Sequence, residues 1–131
     1  MWKKALVALG ILAGCTSPPL DRPAVVGISA AEAHALVTSR PATQFIDVRE
    51  RHEFAAGHPS GARNLPLSEI DTWAPGLDKG AGYVMTCRSG RRSAQAAARM
   101  QELGVADVKN LGGGYLAWEK AGLPVGKPEG N

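Results

Sequence analysis

Gly82-Tyr83-Val84-Met85-Thr86-Cys87-Arg88-Ser89-Gly90-Arg91-Arg92-Ser93-Ala94-Gln95-Ala96-Ala97-Ala98-Arg99-Met100-Gln101-Glu102-Leu103 is the stretch that decides how this chain folds. Its first five residues are a short apolar run that reads as a buried strand. From Ala94 onward strong helix formers continue to a stop at Gly104. A thiol, Cys87, therefore stands where a strand gives way to a helix. Backbone N–H groups of such a loop and of the first helical turn can point inward, and three guanidiniums lie close by. Amide donors and the positive helix end favour an anion, and so a thiolate over a thiol. A lone Cys is often only a small buried hydrophobe, and basic residues at a helix start usually face water. Three cations there oppose the helix dipole unless an anion joins them, and that mismatch decides for an anion-handling site. Cys87 is its nucleophile.

Working outward, helical and strand-like segments alternate. Ser29-Ala30-Ala31-Glu32 is a capping box that opens a helix through Val37. Residues 44–48 read as a strand, followed by a short helix over 51–56 and a stop at Gly57. Residues 62–65 give another short strand ended by Pro66, and 68–73 a short helix with Ser68 as its cap. A last strand spans 105–111. After Gly112-Gly113-Gly114 a helix over 115–121 stops at Gly122. This alternation predicts an α/β fold around a mainly parallel sheet flanked by helices.

The chain of 131 residues has room for one domain with one modest core, and 44% hydrophobic with 21% charged residues is ordinary for a soluble globular protein. Met1-Trp2-Lys3-Lys4 is a basic start, and the apolar run Ala5-Leu6-Val7-Ala8-Leu9-Gly10-Ile11-Leu12 follows it. As a helix that run would span only about 12 Å, against the roughly 30 Å of a bilayer core, so it reads as a secretory signal and not as a span. Leu12-Ala13-Gly14-Cys15 resembles the lipobox of bacterial lipoproteins, which implies cleavage before Cys15 and lipidation of that residue. The expected organisation is a signal peptide at 1–14, a Pro-rich tether at 15–24, a folded domain at 25–125 and a flexible tail at 126–131. It implies anchoring in the cell envelope, facing the periplasm, with the outer membrane favoured. Without Lys3 and Lys4, 13 of the 15 basic residues remain against 12 acidic ones, and no basic stripe with interleaved aromatics occurs. Nucleic acid is therefore not an expected partner. With Cys15 lipidated, Cys87 is the only free thiol and no internal disulfide can form.

Several segments together resemble the single-domain rhodanese-like family. They are Phe45-Ile46-Asp47-Val48-Arg49-Glu50, Glu53-Phe54-Ala55-Ala56-Gly57-His58 and Gly61-Ala62-Arg63-Asn64-Leu65-Pro66-Leu67, then the Cys87 loop. Asn110-Leu111-Gly112-Gly113-Gly114-Tyr115-Leu116-Ala117-Trp118 and Gly122-Leu123-Pro124-Val125 complete the set. Pro59-Ser60 departs from the family's usual aliphatic residue after His58, a local change in that turn. The resemblance implies a rhodanese-like fold with the active loop at the carboxyl end of a middle strand. It also implies sulfur transfer through a persulfide on Cys87. A small anionic donor of thiosulfate type supplies the sulfur and a thiol or cyanide receives it, with no cofactor. Arg88, Ser89, Gly90, Arg91, Arg92 and Ser93 are then the candidate substrate-binding residues. Arg88 with Arg91 or Arg92 is the candidate for the sulfonate end, which of the three being open.

Tyrosine phosphatases and related enzymes pair the Cys with a preceding His and place an Arg six positions after it. Here Thr86 precedes Cys87 and the sixth position is Ser93. The shorter loop suits a single sulfur atom better than a phosphoryl group. Asp47, Arg49 and Glu50 read as a structural ion-pair and hydrogen-bond set, and His58 as a satisfied structural histidine. Trp118 with the glycines at 112–114 reads as a wall beside the loop. No group of residues has metal-ligand spacing, and a monomer is expected. A non-catalytic persulfide carrier or redox-sensing module of the envelope is the alternative function.

Overall fold

Five parallel strands in the order β1 (Val26–Ile28), β6 (Asp107–Leu111), β5 (Gly82–Thr86), β2 (Gln44–Asp47) and β4 (Arg63–Asn64) place the Cys87 strand at the centre of the sheet. The computed structural model describes residues 24–127; the expected signal peptide, Cys15 and all but the end of the tether lie outside them. A separate antiparallel pair joins β3 (His58–Pro59) to β7 (Val125–Gly126). The helices are α1 (Ala30–Ser39), α2 (Arg51–Ala56), α3 (Ile70–Trp73), α4 (Arg91–Glu102) and α5 (Gly114–Lys120). No helix among the described residues is long and apolar enough to cross a membrane.

Alternation along β5 builds two core layers. Tyr83, Met85 and Cys87 face Ala96, Ala97 and Met100 of α4, whereas Val84 faces Ala33 of α1 and Trp118 of α5. Cys87 thus carries the strand's inward period one step past its end. From β5 the chain crosses through α4 to β6 on one side; from β2 it leads to β4 on the other. The crossovers diverge between β5 and β2, which opens a crevice at the carboxyl ends of those two strands. In open α/β sheets that crevice is where ligands bind.

The capping box of α1 is present: Glu32 N donates to Ser29 Oγ at 3.0 Å and Ser29 N to Glu32 Oε1 at 2.8 Å. Ser68 is no cap. It lies inside a 3-10 turn at Leu67–Glu69, and its hydroxyl donates to the Glu50 carboxylate at 2.9 Å. Strand β1 is an addition to the sequence reading, and so is the β3–β7 pair, which takes Gly126 out of the expected tail and pairs it with His58.

Candidate active site

The loop after β5 is held from behind by α5. Tyr115 N donates to Cys87 O at 2.8 Å and Leu116 N to Arg88 O at 3.2 Å. In a trans peptide the N–H points opposite to its own carbonyl, so fixing the Arg88 carbonyl outward turns the Ser89 N–H inward. Gly90, in the left-handed region at φ 101°, completes the turn, and its N–H donates to Cys87 Sγ at 3.1 Å. Asn110 on β6 braces the far end of the loop. Its Nδ2 donates to Gly90 O at 3.1 Å, and its Oδ1 accepts the Ser93 hydroxyl at 2.6 Å.

Ser93 Oγ also lies 3.5 Å from Cys87 Sγ. One hydroxyl proton cannot serve both partners, so it turns to the sulfur when the sulfur carries charge. Burial pushes the Cys87 thiol up, but the Ser93 hydroxyl and the amides of Ser93, Gly90 and Ser89 outweigh it. The net pKa is lowered. The loop amides are the donors expected from the sequence; the Ser93 hydroxyl joins them, and Arg92 interacts with the charge on the sulfur as well.

The three arginines part company. Arg92 is committed to Glu53 of α2 through Nη1–Oε1 at 2.8 Å and Nη2–Oε2 at 3.1 Å. Arg91 is exposed on the helix, and Arg88 lines a cleft next to the loop. Ser89 is exposed and Ser93 fully buried.

Asp47 and Arg49 form a buried pair, with Arg49 Nη2 donating to Asp47 Oδ2 at 2.8 Å and to Gly57 O at 2.7 Å. Glu50, expected to join them, instead starts α2: its N–H donates to Glu53 Oε1 at 2.9 Å. His58 is buried, stacked on Phe54 with ring centroids 3.6 Å apart, and its Nδ1 lies 3.0 Å from Phe54 O. Gly114 meets the loop backbone directly. Trp118 does not wall the loop. It sits in the opposite core layer, tilted against Phe45, and donates to Pro124 O at 2.7 Å. The neighbour of the loop is Tyr115, whose ring lies 4.6 Å beneath the Arg49 guanidinium.

The sequence profile of the rhodanese-like domain matches residues 29–121. The chain belongs to the rhodanese-like family. A sulfurtransferase from Allochromatium vinosum is 40% identical over 85 residues, spanning 65% of this chain and 79% of that protein. Thiosulfate sulfurtransferase 16 of Arabidopsis thaliana, a chloroplastic protein, is 32% identical over 112 residues, spanning 75% of this chain and 90% of that one. The crystal structure of a rhodanese-related protein from Thermoplasma volcanium superposes with a TM-score of 0.71 at 29% identity, covering 79% of this chain and 99% of that chain.

Two residues of this rhodanese-like site escaped the sequence reading. Asn110 carried one signal, an uncharged polar side chain near the end of a strand whose other polar residues, Asp107 and Lys109, are charged. Tyr115 carried another, an aromatic residue directly after three glycines that let backbones approach.

The Glu53–Arg92 pair has a pH signature. Arg92 holds the Glu53 carboxyl down to about 2 from an ordinary 4.5. A depressed folded-state pKa contributes stability that is complete above 4.5 and is lost as pH falls through about 2. For a pair this open to solvent, about 1 kcal/mol is expected after screening. Urea midpoints of wild type and Glu53→Gln should therefore differ at pH 7 and converge between pH 4.5 and 2. A constant difference across that window refutes the assignment.

Proposed function

We propose that this rhodanese-like domain is a thiosulfate-type sulfurtransferase with Cys87 as nucleophile and persulfide carrier. The observation that carries the reading is the Cys87 sulfur itself, hydrogen-bonded by the Gly90 amide and lowered in pKa by loop donors without a partner base. The thiolate attacks the outer sulfur of the donor. An S–S bond forms to Cys87, the donor's own S–S bond breaks, and its electron pair leaves with sulfite. The charge now on the outer sulfur faces the same amides, so the loop stabilises both states of the cycle.

Cys87 is only 1% exposed. A single terminal sulfur reaches it more readily than a bulky phosphoryl centre. Arg88 is the cation proposed for the donor's sulfonate, because Arg92 is occupied by Glu53. Incubation with thiosulfate should add one sulfur to the intact mass of wild type and none to Cys87→Ser. No adduct on wild type at any donor concentration sinks the reading. Loading without turnover to cyanide or a thiol would select the carrier or sensor role.

The proposal includes tethering to the cell envelope through a lipidated Cys15, on the strength of the basic start, the short apolar run and Leu12-Ala13-Gly14-Cys15. Cys15→Ala should move the protein from the membrane fraction to the soluble one; unchanged partitioning refutes the anchor.

A further inference from the structure

The Ser93 hydroxyl is fully buried and has two acceptors on different elements, Asn110 Oδ1 of β6 at 2.6 Å and Cys87 Sγ at 3.5 Å. The shorter distance belongs to Asn110, so its oxygen takes the proton while the sulfur is neutral. The Asn110 amide is not free to turn over and release it. Its Nδ2 donates to Gly90 O at 3.1 Å, and a reversed amide would set two oxygens against each other there. Gly90 gives its own N–H to Cys87 Sγ at 3.1 Å. One side chain on β6 therefore touches two of the residues that donate to the sulfur.

We propose that Asn110 is a positioning residue of the sulfur-transfer cycle: it holds the Ser93 hydroxyl whenever Cys87 Sγ is neutral and yields it when Sγ carries charge. The inference rests on the sulfur-transfer reading above. Sγ is charged before loading, neutral in the persulfide and charged again after discharge. In loading, the thiolate bonds to the donor's outer sulfur, the donor's S–S bond breaks and its electron pair leaves with sulfite. Sγ is now divalent and neutral, and the hydroxyl swings from it to Asn110 Oδ1. In discharge, an acceptor thiolate or cyanide bonds to the outer sulfur, and the Cys87–sulfur bond breaks with its electron pair returning to Sγ. The hydroxyl swings back and stabilises that leaving thiolate. In both positions the buried hydroxyl keeps an acceptor, so neither half-reaction leaves it unsatisfied.

The test is the pH profile of Cys87 alkylation by iodoacetamide in the full chain, followed as added mass on the peptide that carries Cys87; it needs no sulfur donor. Arg92 interacts with the charge on the sulfur and with Glu53 and Asp47, and none of these changes in the variants used. Asp107 and Lys109, the charged neighbours of Asn110 on β6, pair with each other. Asn110→Leu removes the competing acceptor together with the Gly90 contact. In a Ser93→Ala background the same substitution acts through Gly90 alone. With the hydroxyl present it should favour the thiolate about fivefold more than in that background, the worth of one neutral hydrogen bond. Asn110→Asp keeps the acceptor and tightens its grip with charge, so it should disfavour the thiolate about fivefold more with Ser93 than with Ser93→Ala. A brace with no hold on the hydroxyl shifts both backgrounds equally, and equal shifts overturn the proposal. Should Asn110→Leu not fold, the Asn110→Asp comparison decides it. Unequal shifts in a protein that thiosulfate does not load would keep the hold on the hydroxyl and sink its place in a sulfur-transfer cycle.

Discussion

Gly114→Ala is expected to lower stability by about 3–5 kcal/mol and to abolish sulfur loading in whatever fraction folds. A Cβ at position 114 would lie 2.5 Å from both Cys87 O and Arg88 O, and 2.6 Å from Arg88 C. All three are backbone atoms, so no side-chain rotation relieves the overlap. The carbonyls involved are those that receive the Tyr115 and Leu116 amides. Pushing them away breaks two hydrogen bonds and rotates the peptide planes whose N–H groups face the sulfur.

The left-handed φ of 56° at Gly114 adds about 1 kcal/mol for any residue with a Cβ. Gly122→Ala is the control. That glycine also has a positive φ, 72°, but nothing within 4 Å of an added Cβ. It should cost only the conformational term, about 1 kcal/mol, with loading retained. Urea midpoints and persulfide mass on both variants check the pair. Equal losses would show that the close approach of α5 to the loop carries no weight.

The contrast between these glycines explains what the sequence could and could not disclose. Local rules are legible because their signals are adjacent in the chain. The Ser29–Glu32 box, the stops at Gly57 and Gly122 and the strand–loop–helix around Cys87 all lie where the residues place them. Strand β1 and the β3–β7 pair were not legible, since runs of two or three residues show no periodicity.

The destinations of side chains were the harder part. Arg92 looks like an anion ligand until Glu53, 39 residues earlier, takes it. The Ser93–Asn110 contact spans 17 residues and two elements. Trp118 and Tyr115 share one helix, yet only the first-turn residue reaches the loop. Spacing shows which residues share a face; tertiary packing decides what that face meets. Thiolate stabilisation was assigned to the right loop and to its amides, and tertiary structure adds the buried Ser93 hydroxyl to them.

Asp47→Ala should destabilise the protein by about 3–5 kcal/mol, because it strands a buried guanidinium. Asp47 is fully buried at the end of β2, and its carboxylate accepts Arg49 N at 3.0 Å, Nε at 3.0 Å and Nη2 at 2.8 Å. Arg49 is 4% exposed and has one further acceptor in the Gly57 carbonyl. Without the carboxylate its positive charge keeps only the Gly57 carbonyl as a direct hydrogen-bond partner. The same residues hold the crevice together: Asn64 Nδ2 donates to Asp47 O at 2.9 Å and to Arg49 O at 2.8 Å, tying β4 to this turn. A tilt of Arg49 would also disturb Tyr115 beneath it, and through Tyr115 the Cys87 carbonyl.

A double-mutant cycle separates the pair's attraction from the cost of an orphaned charge. Arg49→Met alone leaves a buried carboxylate and should cost a similar amount. The double variant Asp47→Ala with Arg49→Met removes both charges and should recover at least about 2 kcal/mol of the summed single losses, because neither charge is then left buried without its partner. Strict additivity of the two single losses would mean that the buried ion pair is not what holds this edge of the site.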